Sequence, residues 1–275
     1  RWSLIGVLLL AVVGVLFIFP EDHGLHSAFG GAWEPYALLA GFAALIFVYR
    51  TFLHRLRARV ATRADDKVSP KSGTFSATEL DRYARHIVLR EIGGPGQKKL
   101  KNAKVLVIGA GGLGAPVLQY LAAAGVGTIG VIDDDIVENA NLQRQVIHRD
   151  EDIGVPKVFS AQNAMRAQNP HIEVRAYHRR LTKDILPELF AEYDLILDGC
   201  DNFETRYLVN ETANALNKPL ISGALSQWEG QLSVFDPANG TPCYQCIFPN
   251  APAADLAPAC SEAGVIGPLP GVIGA

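Results

Sequence analysis

The residues best placed to do chemistry fall within about forty positions of one another. Gly109, Gly111, Gly112 and Gly114 follow the apolar run Lys104-Val-Leu-Val-Ile108, Asp133-Asp-Asp135 follows a second such run, and Asn141, Gln143, Arg144 and Gln145 form a polar cluster soon after. Residues 104–108 suit a buried parallel strand, and the glycines let backbone N–H groups approach phosphate where a helix begins, with Pro116 fitting that helix's first turn. Gly109, Gly111 and Gly114 also satisfy the dinucleotide-binding pattern, with Asp133 as the ribose acid. An NAD-dependent dehydrogenase is therefore the plain alternative. Against it stand the additional Gly112 and the cation Arg144, which suits a triphosphate whose charge must be neutralised during reaction.

Further motifs occur in a consistent order: Arg82-Tyr-Ala-Arg-His86, Gly109-Ala-Gly-Gly-Leu-Gly114, Gly154-Val-Pro-Lys157, Leu197-Asp-Gly-Cys-Asp-Asn202, Ser222-Gly-Ala224, Gly230-Gln231 and Cys243-Tyr-Gln-Cys246. Over residues 76–275 the chain resembles the bacterial adenylyltransferases that activate ubiquitin-like sulfur carriers, relatives of ubiquitin-activating enzymes. It is most similar to the molybdopterin-synthase adenylyltransferase, with the thiamine-pathway enzyme next. The resemblance implies an ATP- and Mg²⁺-dependent reaction in which the C-terminal glycine carboxylate of a carrier ending in Gly-Gly attacks the α-phosphate and pyrophosphate leaves. A carboxylate is already a nucleophile at neutral pH, so catalysis consists of positioning and charge neutralisation.

Under that reading Gly111 and Gly112 face the phosphates, Asp133 holds the ribose hydroxyls, and Arg144 and Lys157 balance transition-state charge. Asp201, at the carboxyl end of a strand, holds Mg²⁺, while Asn141, Gln145 and Asn202 bind or orient the nucleotide. Plainer roles exist: Asp133 or Asp135 as a loop cap, Lys157 as a solvated surface lysine, Asp201 as the cap of the following helix. Arg85 is assigned by resemblance alone; the matching arginine enters the partner subunit's site, which implies a homodimer. Cys243 and Cys246 have the spacing for two ligands of a structural Zn²⁺, whose other two ligands relatives supply near the C-terminus; a redox dithiol is the alternative. Cys260, in a Pro- and Gly-rich stretch expected to be a loop, is a candidate sulfur-transfer thiol, and Cys200 is expected to be packed.

The elements that must position these groups follow from patterning. Ser76 and Glu79 form a capping box before an amphipathic helix expected to run to about Gly93-Gly94-Pro95. Strands are expected near 128–132, 172–177, 195–197 and 220–222, and helices over 157–168 and 204–216, with 231–236 starting an antiparallel extension. This predicts an α/β, Rossmann-like, doubly wound, mainly parallel sheet for the adenylation domain, residues 76–275. The chain's start at Arg1 and its stop within an apolar stretch lead us to expect a longer protein, with its C-terminal end missing.

Ahead of this domain, residues 2–19 contain Ser3 as their only polar side chain and would reach about 27 Å as a helix, close to the bilayer core. Pro20–Pro35 has acids but no Lys or Arg, a second apolar run spans 36–49, and Arg50, Arg55, Arg57, Arg59 and Arg63 follow. Residues 1–53 are therefore expected to form a two-helix transmembrane hairpin, residues 54–75 a basic, polar linker, and the catalytic domain to lie on the cytoplasmic side of the cytoplasmic membrane. A signal peptide is the competing reading of the first run, and a catalytically silent membrane scaffold that keeps the fold is a further alternative to the enzyme. The net charge of −3 over 275 residues gives no reason to propose nucleic acid as a partner.

Overall fold

The computed structural model describes residues 41, 44–52, 75–253 and 260–275. The chain divides into two compact units, 1–69 and 70–275. In the first, residues 41 and 44–52 are helical and mostly exposed, and Thr51 Oγ1 donates to the Phe47 carbonyl at 2.7 Å. The expected hairpin and linker otherwise lie outside the described residues; among those described, no helix is long and apolar enough to cross a membrane.

The second unit is built on six strands: β1 (Lys104–Ile108), β2 (Thr128–Asp133), β3 (Glu173–His178), β4 (Leu195–Asp198), β5 (Leu220–Leu225) and β6 (Gly230–Phe235). Their order is β3-β2-β1-β4-β5-β6, with β6 alone antiparallel to its neighbour. The helices are α1 (Ala77–Arg82), α2 (Ala84–Ile87), α3 (Gly93–Asn102), α4 (Gly114–Ala124), α5 (Lys157–Gln168), α6 (Leu186–Ala191), α7 (Phe203–Ala215), α8 (Tyr244–Ile247), α9 (Cys260–Ala263) and α10 (Pro268–Gly274). The doubly wound sheet and its antiparallel extension are thus as expected.

Strand alternation divides the core. Val105 and Val107 of β1 pack with Ile129 and Val131 of β2 against Leu118 and Ala122 of α4 and Val158, Ala161 and Met165 of α5. Leu106 and Ile108 point the other way, among Ile196, Leu220, Phe190, Tyr193, Val209 and Ala213. The chain winds outward from β1 through β2 to β3, then returns to start β4 on the other side of β1. With crossovers of one hand, that reversal sends α4 and α5 to one face and α6 and α7 to the other. It also opens a crevice at the carboxyl ends of β1 and β4, where such sheets bind ligands.

Two glycines are required at that edge. Gly109 has φ +92°, in the left-handed region. A Cβ on Gly114 would lie 1.9 Å from the Gly109 carbonyl oxygen, so α4 can start this close to β1 only with glycine there.

The first helix departs from expectation. The capping box forms, with Glu79 N–H donating to Ser76 Oγ at 3.2 Å and Ser76 N–H to Glu79 Oε2 at 2.8 Å. The helix is then interrupted at Tyr83 rather than running to the glycines. Tyr83 is buried and its hydroxyl accepts from Asn169 Nδ2 at 2.8 Å, a long-range tie that sets the backbone there. Gly93–Asn102 forms a ten-residue helix of its own. Glu79 also receives Lys101 Nζ at 2.6 Å, which fastens α1 to α3 through a buried ion pair.

Candidate functional site

At the crevice lies a cleft of about 790 Å³. It is lined by Gly111 and Gly112 from the turn after β1, Asp133 to Asp135 after β2, Arg144 and Gln145, Lys157 at the start of α5, and Asp201 and Asn202 after β4. Eight of the expected site residues therefore meet in one place: Gly111, Gly112, Asp133, Arg144, Gln145, Lys157, Asp201 and Asn202.

The turn is held from two sides. Asp133 Oδ2 accepts the Ala110 N–H at 2.7 Å and Oδ1 accepts the Asp135 N–H at 2.8 Å. Burial pushes the Asp133 carboxyl above its ordinary value, against the opposing pull of these N–H donors and of Lys157. On the next peptide, His148 Nε2 lies 2.9 Å from the Ala110 carbonyl oxygen. Since a carbonyl only accepts, Nε2 must carry the proton. His148 Nδ1 is 2.8 Å from Ser160 Oγ, whose one hydroxyl proton serves either Nδ1 or Asp152 Oδ2, 2.7 Å away. Burial, and secondarily the Lys157 charge, holds the His148 pKa below its ordinary value, with the imidazole neutral.

Lys157 is not a solvated lysine: it is buried, and its Nζ donates to Asp135 Oδ2 at 2.6 Å. Asp135 remains exposed and acts as its anchor. Arg144 donates from NH1 to the Ala140 carbonyl at 3.1 Å and from NH2 to Asn141 Oδ1 at 3.5 Å, so Asn141 orients the guanidinium. The helix cap after β4 is Asn202, whose Oδ1 accepts the Thr205 N–H at 2.9 Å. Asp201 is left exposed, with no side-chain hydrogen bond or ion pair among the described residues. Asn202, expected to bind nucleotide, thus has its carbonyl oxygen committed to the cap.

Gln145 is 3% exposed and its Oε1 is buried without a hydrogen-bond partner. A buried acceptor left unmade is costly, and a phosphate oxygen cannot satisfy it because both are acceptors. Gln145 lines the cleft, and its Nε2 is the atom that faces the turn, 3.7 Å from where a Cβ on Gly111 would stand. Beside it, α10 forms a wall, with Pro270 buried and so near the turn that a Cβ on Gly112 would be 3.3 Å from Pro270 Cβ.

Cys243 and Cys246 bring their sulfurs to 3.5 Å, as two ligands of one tetrahedral ion require. Burial raises the Cys243 pKa, but the Asn210 amide and the N–H groups of Cys246 and Gln245 more than offset this and hold it below the ordinary thiol value. The pair offers two sulfur ligands; among the described residues no group of three potential ligands includes them. Cys200 is buried, with its thiol pKa pushed well up by burial, as expected for a packed residue. Cys260 opens the short helix α9 rather than lying in a loop. Arg85 is exposed on α2 and does not line the cleft.

Sequence reasoning missed His148, Arg179 and Arg180. The two arginines line the cleft just beyond β3, and His178 at that strand's end pairs in register with Asp133. The rule that ligands sit beyond the carboxyl ends of strands would have pointed to them. His148 carried no such signal, because its function depends on a fold contact with Ala110.

Two outcomes follow from these contacts. Gln145→Met removes the unpaired carbonyl together with the Nε2 that faces the turn, so stability to denaturant should be unchanged or higher by about 1 kcal/mol while ATP binding weakens by about tenfold. Lower stability with ATP binding intact would contradict the assignment. The neutral state of His148 contributes stability that is present above about pH 6.5 and lost as pH falls toward the depressed folded value. His148→Gln keeps a donor for Ala110 but cannot titrate, so its melting temperature should fall less than that of the wild type between pH 7 and 5.5. Equal falls would contradict the account.

Residues 83–275 match the ThiF family. A sulfur carrier protein adenylyltransferase from Thermus thermophilus is 51% identical over 204 residues, covering 73% of this chain and 75% of the relative. The SAMP-activating enzyme E1 of Haloferax volcanii is 47% identical over 201 residues, covering 73% and 74%. The adenylyltransferase and sulfurtransferase MOCS3 of Culex quinquefasciatus is 49% identical over 197 residues, and this match covers 72% of the chain but 45% of the relative. Among solved structures, E. coli MccB with ATP superposes with a TM-score of 0.60 at 25% identity, covering 72% of this chain and 61% of that one. PaaA, with a TM-score of 0.61 at 24% identity over 80% and 71% of the two chains, shares the fold. With a doubly wound sheet, a glycine turn at its switch point and this extent of identity, the chain belongs to the ThiF family.

Proposed function

We propose that the protein is an ATP-dependent adenylyltransferase that activates the C-terminal carboxylate of a ubiquitin-like sulfur carrier. The observation that carries this reading is the meeting of the glycine turn, Arg144, Lys157 and Asp201 in one cleft. The carrier's terminal carboxylate oxygen forms a bond to the α-phosphorus of ATP, the bond from that phosphorus to the bridging oxygen breaks, and pyrophosphate leaves with the electron pair. The turn's N–H groups receive phosphate oxygens, Arg144 and Lys157 offset the negative charge of the transition state, and the unpaired Asp201 carboxylate holds Mg²⁺. Asp133 accepts from ribose hydroxyls, and Gln145 lines the same cleft. A nicotinamide dehydrogenase would need neither the Arg144 cation nor the free Asp201.

The carrier is of the molybdopterin-synthase small-subunit type, placing the reaction in molybdenum cofactor biosynthesis; activation of a thiamine-pathway or tRNA-thiolation carrier is the second reading. Zn²⁺ binds through Cys243 and Cys246 in a structural role, and Cys260 is the candidate thiol for later sulfur transfer. The enzyme is a homodimer in which Arg85 serves the partner subunit's cleft, in keeping with its exposed position outside its own. The apolar runs over 1–53 tether it to the cytoplasmic membrane, catalytic domain on the cytoplasmic side.

Pyrophosphate exchange into ATP, with and without carriers ending in Gly-Gly, tests this directly. Exchange should appear with one carrier, and Arg144→Ala or Lys157→Ala should lower it by about 100-fold or more with the fold retained. Mixed Arg85→Ala and Arg144→Ala subunits should regain part of the activity that each lacks alone. Exchange retained in Arg144→Ala refutes its role, and no regain on mixing refutes the cross-subunit role of Arg85. On fractionation, the full chain should stay with membranes in alkaline carbonate and be released by detergent; release by carbonate alone contradicts the tether.

A further inference from the structure

Asn202, Arg206 and Asn210 recur at every fourth residue of the α7 segment and so share one face of the helix. Asn202 caps the helix, and Asn210 grips the cysteine corner, accepting the Tyr244 N–H at 2.8 Å and donating to Cys243 Sγ at 3.5 Å. Arg206, between them, is 5% exposed and makes contacts that no nucleotide-binding role explains. Its NH1 lies 2.9 Å from Asp198 Oδ2 and also donates to Ser222 Oγ, while its NH2 donates to the Cys200 carbonyl at 2.8 Å. The Tyr244 ring lies 5.7 Å from the guanidinium carbon.

The other end of Cys200 is held by the same ion pair, since Asp198 Oδ1 accepts the Cys200 N–H at 3.0 Å. Asp198 and Arg206 thus fix both backbone polar groups of the residue immediately before Asp201. The Cys200 carbonyl belongs to the peptide plane that leads into Asp201, so its hydrogen bond to Arg206 sets the direction in which the Asp201 Cα is placed. Asp201 itself makes no side-chain hydrogen bond or ion pair among the described residues, so its orientation is set by its neighbours, the Cys200 carbonyl on one side and the Asn202 helix cap on the other. Only the guanidinium fork can pair with Asp198 and reach the carbonyl together; a lysine ammonium satisfies the charge but not both geometries.

We propose that Arg206 is the positioning residue of the Gly199–Asn202 turn: by holding the Cys200 carbonyl while paired with Asp198, it sets where the Asp201 carboxylate stands in the cleft, and with it the affinity for a divalent cation. The cation's attachment to Asp201 rests on the adenylation reading above; the clamp does not.

Arg206→Lys in the full-length protein separates the two. Amide hydrogen exchange over 199–202 should accelerate by about tenfold, while β1 in the sheet interior exchanges as in the wild type. The Mg²⁺ concentration for half-maximal ATP binding should rise by about tenfold, with kcat at saturating Mg²⁺ within about threefold of wild type. Unchanged exchange at 199–202 overturns the clamp. Faster exchange with an unchanged Mg²⁺ requirement upholds the clamp and instead overturns the assignment of the cation to Asp201. Ser222→Ala keeps both buried charges and removes the hydroxyl between them; it should move both readouts in the same direction by a smaller factor, and no shift in either also overturns the proposal.

Discussion

The hydrogen bond from Ala110 N–H to Asp133 Oδ2, at 2.7 Å, is the contact on which the site depends. It joins the carboxyl ends of β1 and β2 at the level where the glycine turn leaves the sheet. With His148 donating to the carbonyl of the same residue, the two peptides that flank the Ala110 Cα are held, one by a carboxylate and the next by an imidazole. The turn then enters α4 through Gly114, where no side chain fits. A phosphate site made of backbone N–H groups works only if those groups are already aimed, and these contacts do the aiming before any ligand arrives.

The same device recurs across the switch point. After β4, the Asp198–Arg206 pair fixes the N–H and C=O of Cys200 as Asp133 and His148 fix those of Ala110. Each arm of the crevice is thus a short turn whose backbone is held by buried charged or polar side chains, leaving Arg144 and Asp201 outside the clamps and at the cleft wall. Burying an ion pair costs desolvation and is weak evidence for added stability. Here the pairs orient peptide groups that no apolar contact could orient. The cysteine corner is tied into this arrangement through Asn210 and Tyr244, one helical turn beyond Arg206.

Much of the fold was readable in the sequence because local pattern and global packing agree. The run 104–108 is a buried strand, Lys157–Gln168 is the helix that its pattern indicated, and the Ser76–Glu79 box caps as its residue types require. The helix break at Tyr83 was not readable, since it answers to Asn169, eighty-six residues away. The individual residues of the cleft were legible where a motif named them, as with Arg144, Lys157 and Asp201. Their restraints were not: whether Lys157 is solvated depends on Asp135, and whether Asp201 or Asn202 caps α7 depends on backbone geometry that their adjacency leaves open. Arg206, Ser222 and Asp198 come from three elements that only the sheet order brings together.

The central claim is that this crevice is built for a nucleoside triphosphate with its cation, although its glycine pattern also fits a dinucleotide. Calorimetric titration of the full-length protein with ATP in the presence and absence of Mg²⁺, and with NAD, tests it most directly. The account predicts saturable ATP binding that strengthens with Mg²⁺ and no binding of NAD at the same concentrations. Binding of NAD with ATP binding indifferent to Mg²⁺ would contradict it.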